Sequence, residues 1–98
     1  MTQYDYTQLD DVIHARIRLA VMSVLITVEE AEFTFLREKV NTTDGNLSIH
    51  LKKLEEAGYI TVNKRFVDRK PQSTYRISET GRNALEEYIE KLEQLLKR

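Results

Sequence analysis

The chain has 98 residues, 41% of them hydrophobic and 32% charged, a composition typical of one soluble globular domain. Because it contains no cysteine, disulfide bonds, thiolate metal sites and a cysteine nucleophile are excluded. The longest apolar run, residues 19–28, is too short to span a membrane, and residues 1–8 lack the features of a signal peptide. We therefore expect a cytoplasmic protein.

The net charge of −1 is distributed unevenly along the sequence. Residues 1–43 carry four basic and seven acidic side chains, residues 44–76 carry seven and four, and residues 77–98 carry four and five. The positive charge is therefore concentrated in the middle third of the chain. A local basic segment of this kind is typical of nucleic-acid binding even where the whole chain is slightly acidic.

The first predicted helix covers residues 7–28, with Thr7 as its candidate N-cap. From residue 19 to residue 28 the pattern is apolar on nearly all sides of the helix. Such a helix is expected to be covered by a second partner as well as by its own domain. Tyr4 and Tyr6, which precede the cap, are candidates to pack on that partner.

A helix-turn-helix unit is predicted over residues 34–57, where two short helical patterns are joined by a tight turn at residues 41–43. The Thr43 hydroxyl can cap the second helix, and Gly58 can adopt the left-handed conformation that ends it. Residues 32–35 are compatible with a very short strand.

The second helix of this unit has two different faces. Leu47, Leu51 and Leu54 fall within one narrow sector, which predicts a buried face. The opposite side has small side chains in its first turns, which allow close approach to base edges, followed by two lysines that can meet phosphates. An ordinary amphipathic helix with solvated lysines would show the same pattern. The candidate DNA contacts here are Thr43, Asp44, Gly45, Asn46, Ser48, Ile49, Lys52 and Lys53.

The next segment, residues 59–77, is a predicted basic hairpin, and its context favours DNA binding for the helix before it. Its turn is predicted at residues 68–71, because Pro71 favours an extended or turn conformation in the residue before it. A hairpin this short is not stable alone, so it must lie against the helices with its basic tip protruding. Its candidate DNA contacts are Lys64, Arg65, Arg69 and Lys70.

The last predicted helix covers residues 79–97, with Ser78 as its cap. Its apolar residues form a stripe of barely two heptads, which is too short to be stable alone. Packing of this stripe against the apolar first helix of a second copy would bury both surfaces. The candidate dimerisation residues are Leu9, Ile13, Leu85, Tyr88, Ile89, Leu92, Leu95 and Leu96.

Three helices, a basic hairpin and a closing helix follow one another in the order of a winged helix-turn-helix, an α+β fold. The segments 18–22, 33–37, 44–59, 69–76 and 80–82 resemble compact prokaryotic winged-helix transcriptional regulators of the MarR-like and ArsR-like superfamily. The resemblance spans residues 9–96. It implies a homodimer, a recognition helix at residues 44–57, a DNA-contacting wing and dimerisation through the terminal helices. Ile49 departs from the family pattern, in which this position is often polar or basic.

No catalytic site is legible in the sequence, since there is no Ser-His-Asp order, carboxylate pair or nucleotide-binding loop. We therefore expect neither an enzyme nor a cofactor. His14 and His50 are the only histidines, and a metal site usually needs three or four ligands, so no metal is expected. His50 borders the leucine face, which favours a hydrogen-bonded, half-buried role.

The sequence thus predicts a dimeric, sequence-specific double-stranded DNA-binding transcriptional regulator that represses by occupying an inverted-repeat operator. Two alternatives stay open. The basic wing could serve an acidic protein partner, or a small-molecule effector could bind between the dimerisation helices and the helix-turn-helix.

Overall fold

The structure is a computed structural model that describes residues 5–97 of the chain. In this part of the chain, four α-helices accompany a three-stranded antiparallel sheet with the strand order β1-β3-β2. This arrangement confirms the predicted α+β winged helix-turn-helix fold. In chain order the elements are a 3-10 turn (Tyr6–Gln8), α1 (Arg16–Leu25), β1 (Ala31–Glu32), α2 (Phe33–Val40), α3 (Asp44–Glu56), β2 (Ile60–Val67), β3 (Lys70–Ile77) and α4 (Glu79–Leu96).

The single first helix predicted for residues 7–28 is wrong, because α1 does not begin until Arg16. Asp10 explains the difference, since its Oδ1 atom accepts hydrogen bonds from the amides two and three residues on, at 2.8 and 3.0 Å. A short acidic side chain that binds these amides turns the backbone before a helix can form. Thr7 is not a helix cap, because it lies inside the 3-10 turn that Asp5 caps. Tyr4 lies outside the described residues.

The core is formed by one face of each helix together with the base of the sheet. The three leucines of α3 are almost completely buried, as their spacing predicted. Each large apolar side chain buried in this way contributes about 1.5–3 kcal/mol to the free energy of unfolding. The fully buried set also contains residues from the other elements: Ile13, Val21, Met22, Leu25, Leu36, Ile60 and Leu85.

The two helices of the helix-turn-helix are connected as the sequence predicted, by a glycine-free turn. Asn41 ends α2 in the left-handed region, at φ 58°, and Asn tolerates this conformation better than most residues. The Thr43 hydroxyl caps α3 by accepting from the Asn46 amide at 3.2 Å. Gly58 follows α3 at φ 77°, and the next amide, that of Tyr59, returns to the Leu54 carbonyl at 3.0 Å. This is a Schellman-type helix end.

The wing consists of β2, β3 and the two-residue turn between them. Asp68 and Arg69 both have positive φ, at 51° and 65°, which is the backbone of a tight hairpin turn matched to the strand twist. The predicted turn at residues 68–71 is therefore too long. Pro71 belongs to β3 and pairs with Phe66. Because Val67 and Lys70 close the turn, the Pro71 nitrogen points away from β2, and its missing N–H removes no bond between these strands.

The sheet has one strand more than the two-stranded wing predicted from the sequence. The short strand β1 pairs Ala31 with Tyr75 and Glu32 with Thr74 of β3. Residues 32–35 had suggested a very short strand, and its actual position is one residue earlier. Strand β1 is followed immediately by α2, so it connects the wing directly to the helix-turn-helix.

Helix α4 is fixed at its beginning by contacts with the chain that follows α3. The Ser78 hydroxyl accepts from the Gly81 amide at 2.9 Å and donates to the Gly58 carbonyl at 2.6 Å, which confirms Ser78 as the cap. Gly81 packs so tightly against Tyr59 that an added Cβ would lie 2.0 Å from its carbonyl oxygen. Tyr59 in turn donates to Asp10 at 2.5 Å, which ties the N-terminal segment to the same region.

Three of the predicted dimerisation residues belong to the core of the chain itself. Only 0%, 1% and 4% of the surfaces of Ile13, Leu85 and Tyr88 are accessible, so their side chains cannot also contact a partner. They were assigned to the dimer because a core stripe and an interface stripe have the same periodicity on a helix. Of the other residues, Leu9, Leu92 and Leu95 are partly buried, and Ile89 and Leu96 are exposed. Within residues 5–97, no helix combines the length and apolar character needed to cross a bilayer.

Candidate nucleic-acid interface

The outer face of α3 is the side opposite its three buried leucines. The structure leaves every predicted contact on this helix exposed. Ile49, the residue that departs from the family pattern, has 57% of its surface accessible, so it is not a core residue. No atom lies within 4 Å of the position that a Cβ on Gly45 would take, so this part of the helix surface is open. The exposed residues are Thr43, Asp44, Gly45, Asn46, Ser48, Ile49, Lys52 and Lys53.

Two of these residues also have local structural roles. Thr43 is the cap of α3, and the Asp44 carboxylate binds the Arg37 guanidinium at 2.8 Å. The hydrogen bond from Arg37 to Asp44 raises the pKa of the guanidinium. The pairing matters for DNA binding, because an unneutralised carboxylate at this end of the helix would repel phosphates. Sequence reasoning missed Arg37, although a basic residue in the last turn of α2 is close to the start of α3 in any tight helix-turn-helix.

His50 lies at the edge of α3 and is held from below by Arg18. The Arg18 Nη1 atom donates to His50 Nδ1 at 2.8 Å, while its Nε atom donates to the Val12 carbonyl at 2.5 Å. Because arginine can only donate, His50 Nδ1 must be an acceptor and the ring is neutral. Burial, followed by the charges of Arg18 and Lys53, lowers the pKa of His50. The predicted half-buried, hydrogen-bonded role is confirmed, and it fixes the orientation of α3.

The other histidine, His14, packs at the edge of the core against Tyr88. His14 Nδ1 is 2.8 Å from the Tyr88 hydroxyl, and the two rings are in contact with centroids 5.9 Å apart. In the part of the chain from residue 5 to residue 97, no three His, Asp or Glu side chains are grouped so that they could hold a metal ion.

The wing presents two chemically different faces, because successive residues of a strand point to opposite sides. Lys64 and Phe66 share the first face with Ile60 and Val62 at the base of the wing, and we call this the core-side face. Arg65 and its partner Gln72 lie on the opposite face, together with Arg76. Sequence reasoning grouped Lys64 with Arg65 as equivalent phosphate contacts, and the strand alternation separates them.

The opposite face of the wing is neutralised by acidic residues of the segment that contains β1. Arg65 binds Gln72 at 3.1 Å and lies 3.8 Å from Glu30. Arg76 lies 3.4 Å from Glu30, and Gln72 donates to Glu32 at 2.8 Å. Arg65 is therefore engaged within the chain, and its availability for a phosphate is reduced. The pairings with Glu30 and Glu32 join residues more than 30 positions apart, so no local sequence pattern indicates them.

The remaining predicted cations are not neutralised in this way. Among residues 5–97, Lys52, Lys53, Lys64, Arg69 and Lys70 form no salt bridge, and all five are exposed. Free cations on the recognition helix and at the wing tip are what a phosphate backbone requires, because each one that meets a phosphate releases a counterion.

Phe66 is an exposed aromatic residue that sequence reasoning took only as part of the strand pattern. It has 78% of its surface accessible, more than any other large apolar side chain of the sheet. Its exposure could have been predicted from the alternation of β2, because Phe66 shares a face with the core residues Ile60 and Val62 but lies too close to the wing tip to reach the core.

Comparison with known proteins places this geometry in a family. Residues 17–96 match the model of the winged helix DNA-binding domain. The chain belongs to this family. An uncharacterized protein of Methanocaldococcus jannaschii is 40% identical over 81 residues, which cover 83% of this chain and 88% of that protein.

Two solved structures show the same fold. A transcriptional regulator homologue from Pyrococcus horikoshii superposes with a TM-score of 0.87 at 23% identity, covering 98% of this chain and 95% of that one. An ArsR family transcriptional regulator superposes with a TM-score of 0.59 at 19% identity, covering 87% and 82%. The predicted winged-helix family and fold are confirmed. The family consists of DNA-binding proteins and not of enzymes.

Proposed function

We propose that this chain is a cytoplasmic, sequence-specific regulator that binds double-stranded DNA as a homodimer and represses transcription by occupying an inverted-repeat operator. The observation that carries the proposal is the outer face of α3. It is exposed, small in its first turns around Gly45, and followed by Lys52 and Lys53, which form no salt bridge within the described residues. A helix with this surface can enter the major groove and reach both base edges and phosphates.

Roles within the helix follow from the position of each side chain. Asn46 and Ser48 lie in the first turns, where a recognition helix approaches the bases, and both can donate and accept hydrogen bonds. Ile49 has no hydrogen-bonding group, so its contact is apolar, with a thymine methyl group as the matching surface. Lys52 and Lys53 lie further along the helix and meet the phosphate backbone, which contributes affinity without sequence information.

The homodimer is supported by the apolar surface that the chain itself leaves uncovered. Beyond Tyr88, helix α4 continues with Ile89 at 43% and Leu96 at 72% exposure, with Leu92 and Leu95 on the same stripe. In α1 and the turn after it, Leu19 and Ile26 are also only partly buried. A second copy that packs on these surfaces removes them from water.

Selection of bound sequences from a random duplex library tests the proposal. We expect enrichment of one inverted repeat, because two symmetry-related copies of α3 read the same half-site. The double variant Lys52→Ala/Lys53→Ala should weaken binding to all duplexes and lower the slope of log affinity against log salt by about four, because the dimer loses two phosphate contacts in each of its two subunits. Lys97→Ala, which removes the same charge at the end of α4, is the control and should leave that slope unchanged.

Failure to enrich any sequence, or equal affinity for enriched and shuffled duplexes, would contradict sequence-specific binding. Enrichment of a single asymmetric half-site would contradict the dimer while it left DNA reading intact.

A further inference from the structure

Phe66 is unusual on the wing because a large aromatic side chain is exposed to water. It is 78% exposed, and its cross-strand neighbour on the same face is Pro71, which is also exposed. An aromatic residue opposite a proline can stabilise a hairpin by packing. Such packing covers little of this ring, so a hairpin role alone does not account for its exposure.

The charges around Phe66 favour a polyanionic partner. Lys64 lies two residues before it on the same face, and Arg69 and Lys70 follow at the tip, with Asp68 in the turn as the one acidic group of the tip. The opposite face differs, because Glu30 and Glu32 bind its polar side chains there. The opposite face ends in Val67, which is 41% exposed, and its partner Lys70, so the core-side face differs in carrying the larger and more exposed apolar side chain, the Phe66 ring, beside the free Lys64.

The shape of the wing tip decides which part of a nucleic acid it fits. The tip is a two-stranded ribbon closed by a turn of two residues, so the part that has to enter a groove is one tight turn with its flanking side chains. With α3 in a major groove, as proposed above, the wing lies beside it, because β2 contacts α3, and its tip can reach the adjacent minor groove. Apolar wedges such as Phe, inserted at a base step and flanked by Arg or Lys, are one way in which proteins bind and kink that groove.

We propose that Phe66 is a minor-groove wedge: its ring enters beside the half-site, partly unstacks one base step, and selects operators in which that step deforms easily. The inference rests on the proposed function. Lys64 and Arg69 hold the phosphates on either side of the step. Pyrimidine–purine steps such as TA and CA unstack most readily, so the wing adds sequence preference at positions where no base edge is read.

Binding measurements on the duplex enriched by the wild-type protein, and on a shuffled duplex, test the wedge. We expect Phe66→Ala to weaken operator binding about tenfold, within the range measured when a base–aromatic contact is removed. Binding to the shuffled duplex should change less than threefold, and the salt slope should not change, because no charge is lost. Phe66→Leu, which keeps an apolar wedge, should lose less than threefold on the operator.

Two matched variants separate the wedge from other effects. Val67→Ala removes a 41% exposed apolar side chain from the neighbouring position on the other face, and operator binding should change less than twofold. Lys64→Ala should lower the salt slope by about two, one for each subunit of the dimer, while it leaves the preference for flexible steps intact.

Fluorescence of 2-aminopurine gives a signal that a merely structural role would not produce. The probe replaces single adenines in the minor-groove segments that flank each half-site. Wild-type protein should raise the emission at one flanking step, because unstacking relieves quenching, and Phe66→Ala should not. Phe66→Leu should raise it partly, which also covers the case in which the alanine variant folds poorly.

Operator affinity of Phe66→Ala within twofold of wild type, or an equal loss on operator and shuffled duplex, would overturn the wedge. Emission that rises equally with wild type and Phe66→Ala would do the same. If wild-type protein binds no duplex preferentially, the proposed function fails first and the wedge with it. Failure of the proposed function is therefore seen with the wild-type protein alone, whereas failure of the wedge is seen only by comparison with the Phe66 variants.

Discussion

Two glycines of this chain serve opposite purposes, which single-residue changes can separate. Gly81, in the first turn of α4, has no room for a side chain, because a Cβ would meet the Tyr59 carbonyl oxygen at 2.0 Å. Gly45, in the first turn of α3, has open space where a Cβ would stand. Gly81 is therefore needed by the fold. The fold does not require a glycine at position 45. In our proposal the DNA requires it, because a side chain there would keep α3 away from the bases.

Alanine at these two positions should change stability in opposite directions. Gly81→Ala should lower the free energy of unfolding by about 1–3 kcal/mol, because backbone cannot move away as a flexible side chain can. Gly45→Ala should raise it by about 0.5 kcal/mol, because alanine loses less backbone freedom in a helix. The same Gly45→Ala change should weaken operator binding, since its methyl group stands between the helix and the bases. Urea unfolding and duplex titration measure the two effects.

A stabilised Gly45→Ala protein with unchanged affinity for the operator would mean that the first turn of α3 does not approach DNA closely. Equal destabilisation by both changes would mean that the two glycines do not differ in the way the packing around them indicates.

At the scale of elements, the sequence predicted α3 well because its signals are local. Three leucines at helical spacing, a threonine cap and a glycine end all act within one stretch, and the structure reproduces each of them. The first helix failed because a competing local signal went unrecognised. Asp10 binds the amides that a continuous helix would need, so apolar periodicity alone overestimated its length.

The wing shows the limit of reading a strand from its sequence. Alternation was visible, and it correctly sets Lys64 apart from Arg65 once it is applied residue by residue. The sequence did not show which of these cations form salt bridges. Glu30 comes close to Arg65 and Arg76 only because β1 pairs with β3. Candidate DNA contacts on a hairpin can therefore be proposed from sequence, and the ranking among them needs the tertiary structure.

Helix α4 changes its role along its length, and this gives a test of the dimer. Its first half places Leu85 and Tyr88 in the core of the chain, and its second half carries Leu92, which is partly buried against that core, and Leu95 beyond it. Leu92→Lys/Leu95→Lys should convert the dimer into monomers, because buried like charges would face each other across the seam. Sedimentation at micromolar concentration measures this.

The control for the seam uses the other side of the same helix. Asn83 and Gln94 are exposed and lie opposite the apolar stripe, so Asn83→Lys/Gln94→Lys, which adds the same two charges, should leave the protein dimeric. A leucine double variant that stays dimeric would place the interface elsewhere, with α1 as the next surface to change. Monomers from both double variants would indicate that added positive charge alone, and not the leucine seam, controls association.

At the scale of the whole molecule, one chain is too small to select a site by itself. Helix α3 has 13 residues, which is about 20 Å, so it reaches only one major groove. A single small module also seldom provides enough affinity against genomic competition. In the dimer proposed above, two copies related by a two-fold axis would double the reading surface and would cover the apolar end of α4.

The symmetry of such a dimer determines the form of the operator. Two recognition helices reach successive major grooves on one side of the duplex when the half-site centres are about 10 base pairs, or roughly 34 Å, apart. Footprinting on the selected duplex should therefore show two equal protected regions at that spacing or at a simple multiple of it. Asn46→Ala and Ser48→Ala should relax base preference at defined positions in both halves together, whereas Lys52→Ala should weaken all sequences alike. Protection of one half alone by saturating protein, or base preferences that neither Asn46→Ala nor Ser48→Ala alters, would show that the two-fold axis or the reading helix lies elsewhere in the molecule.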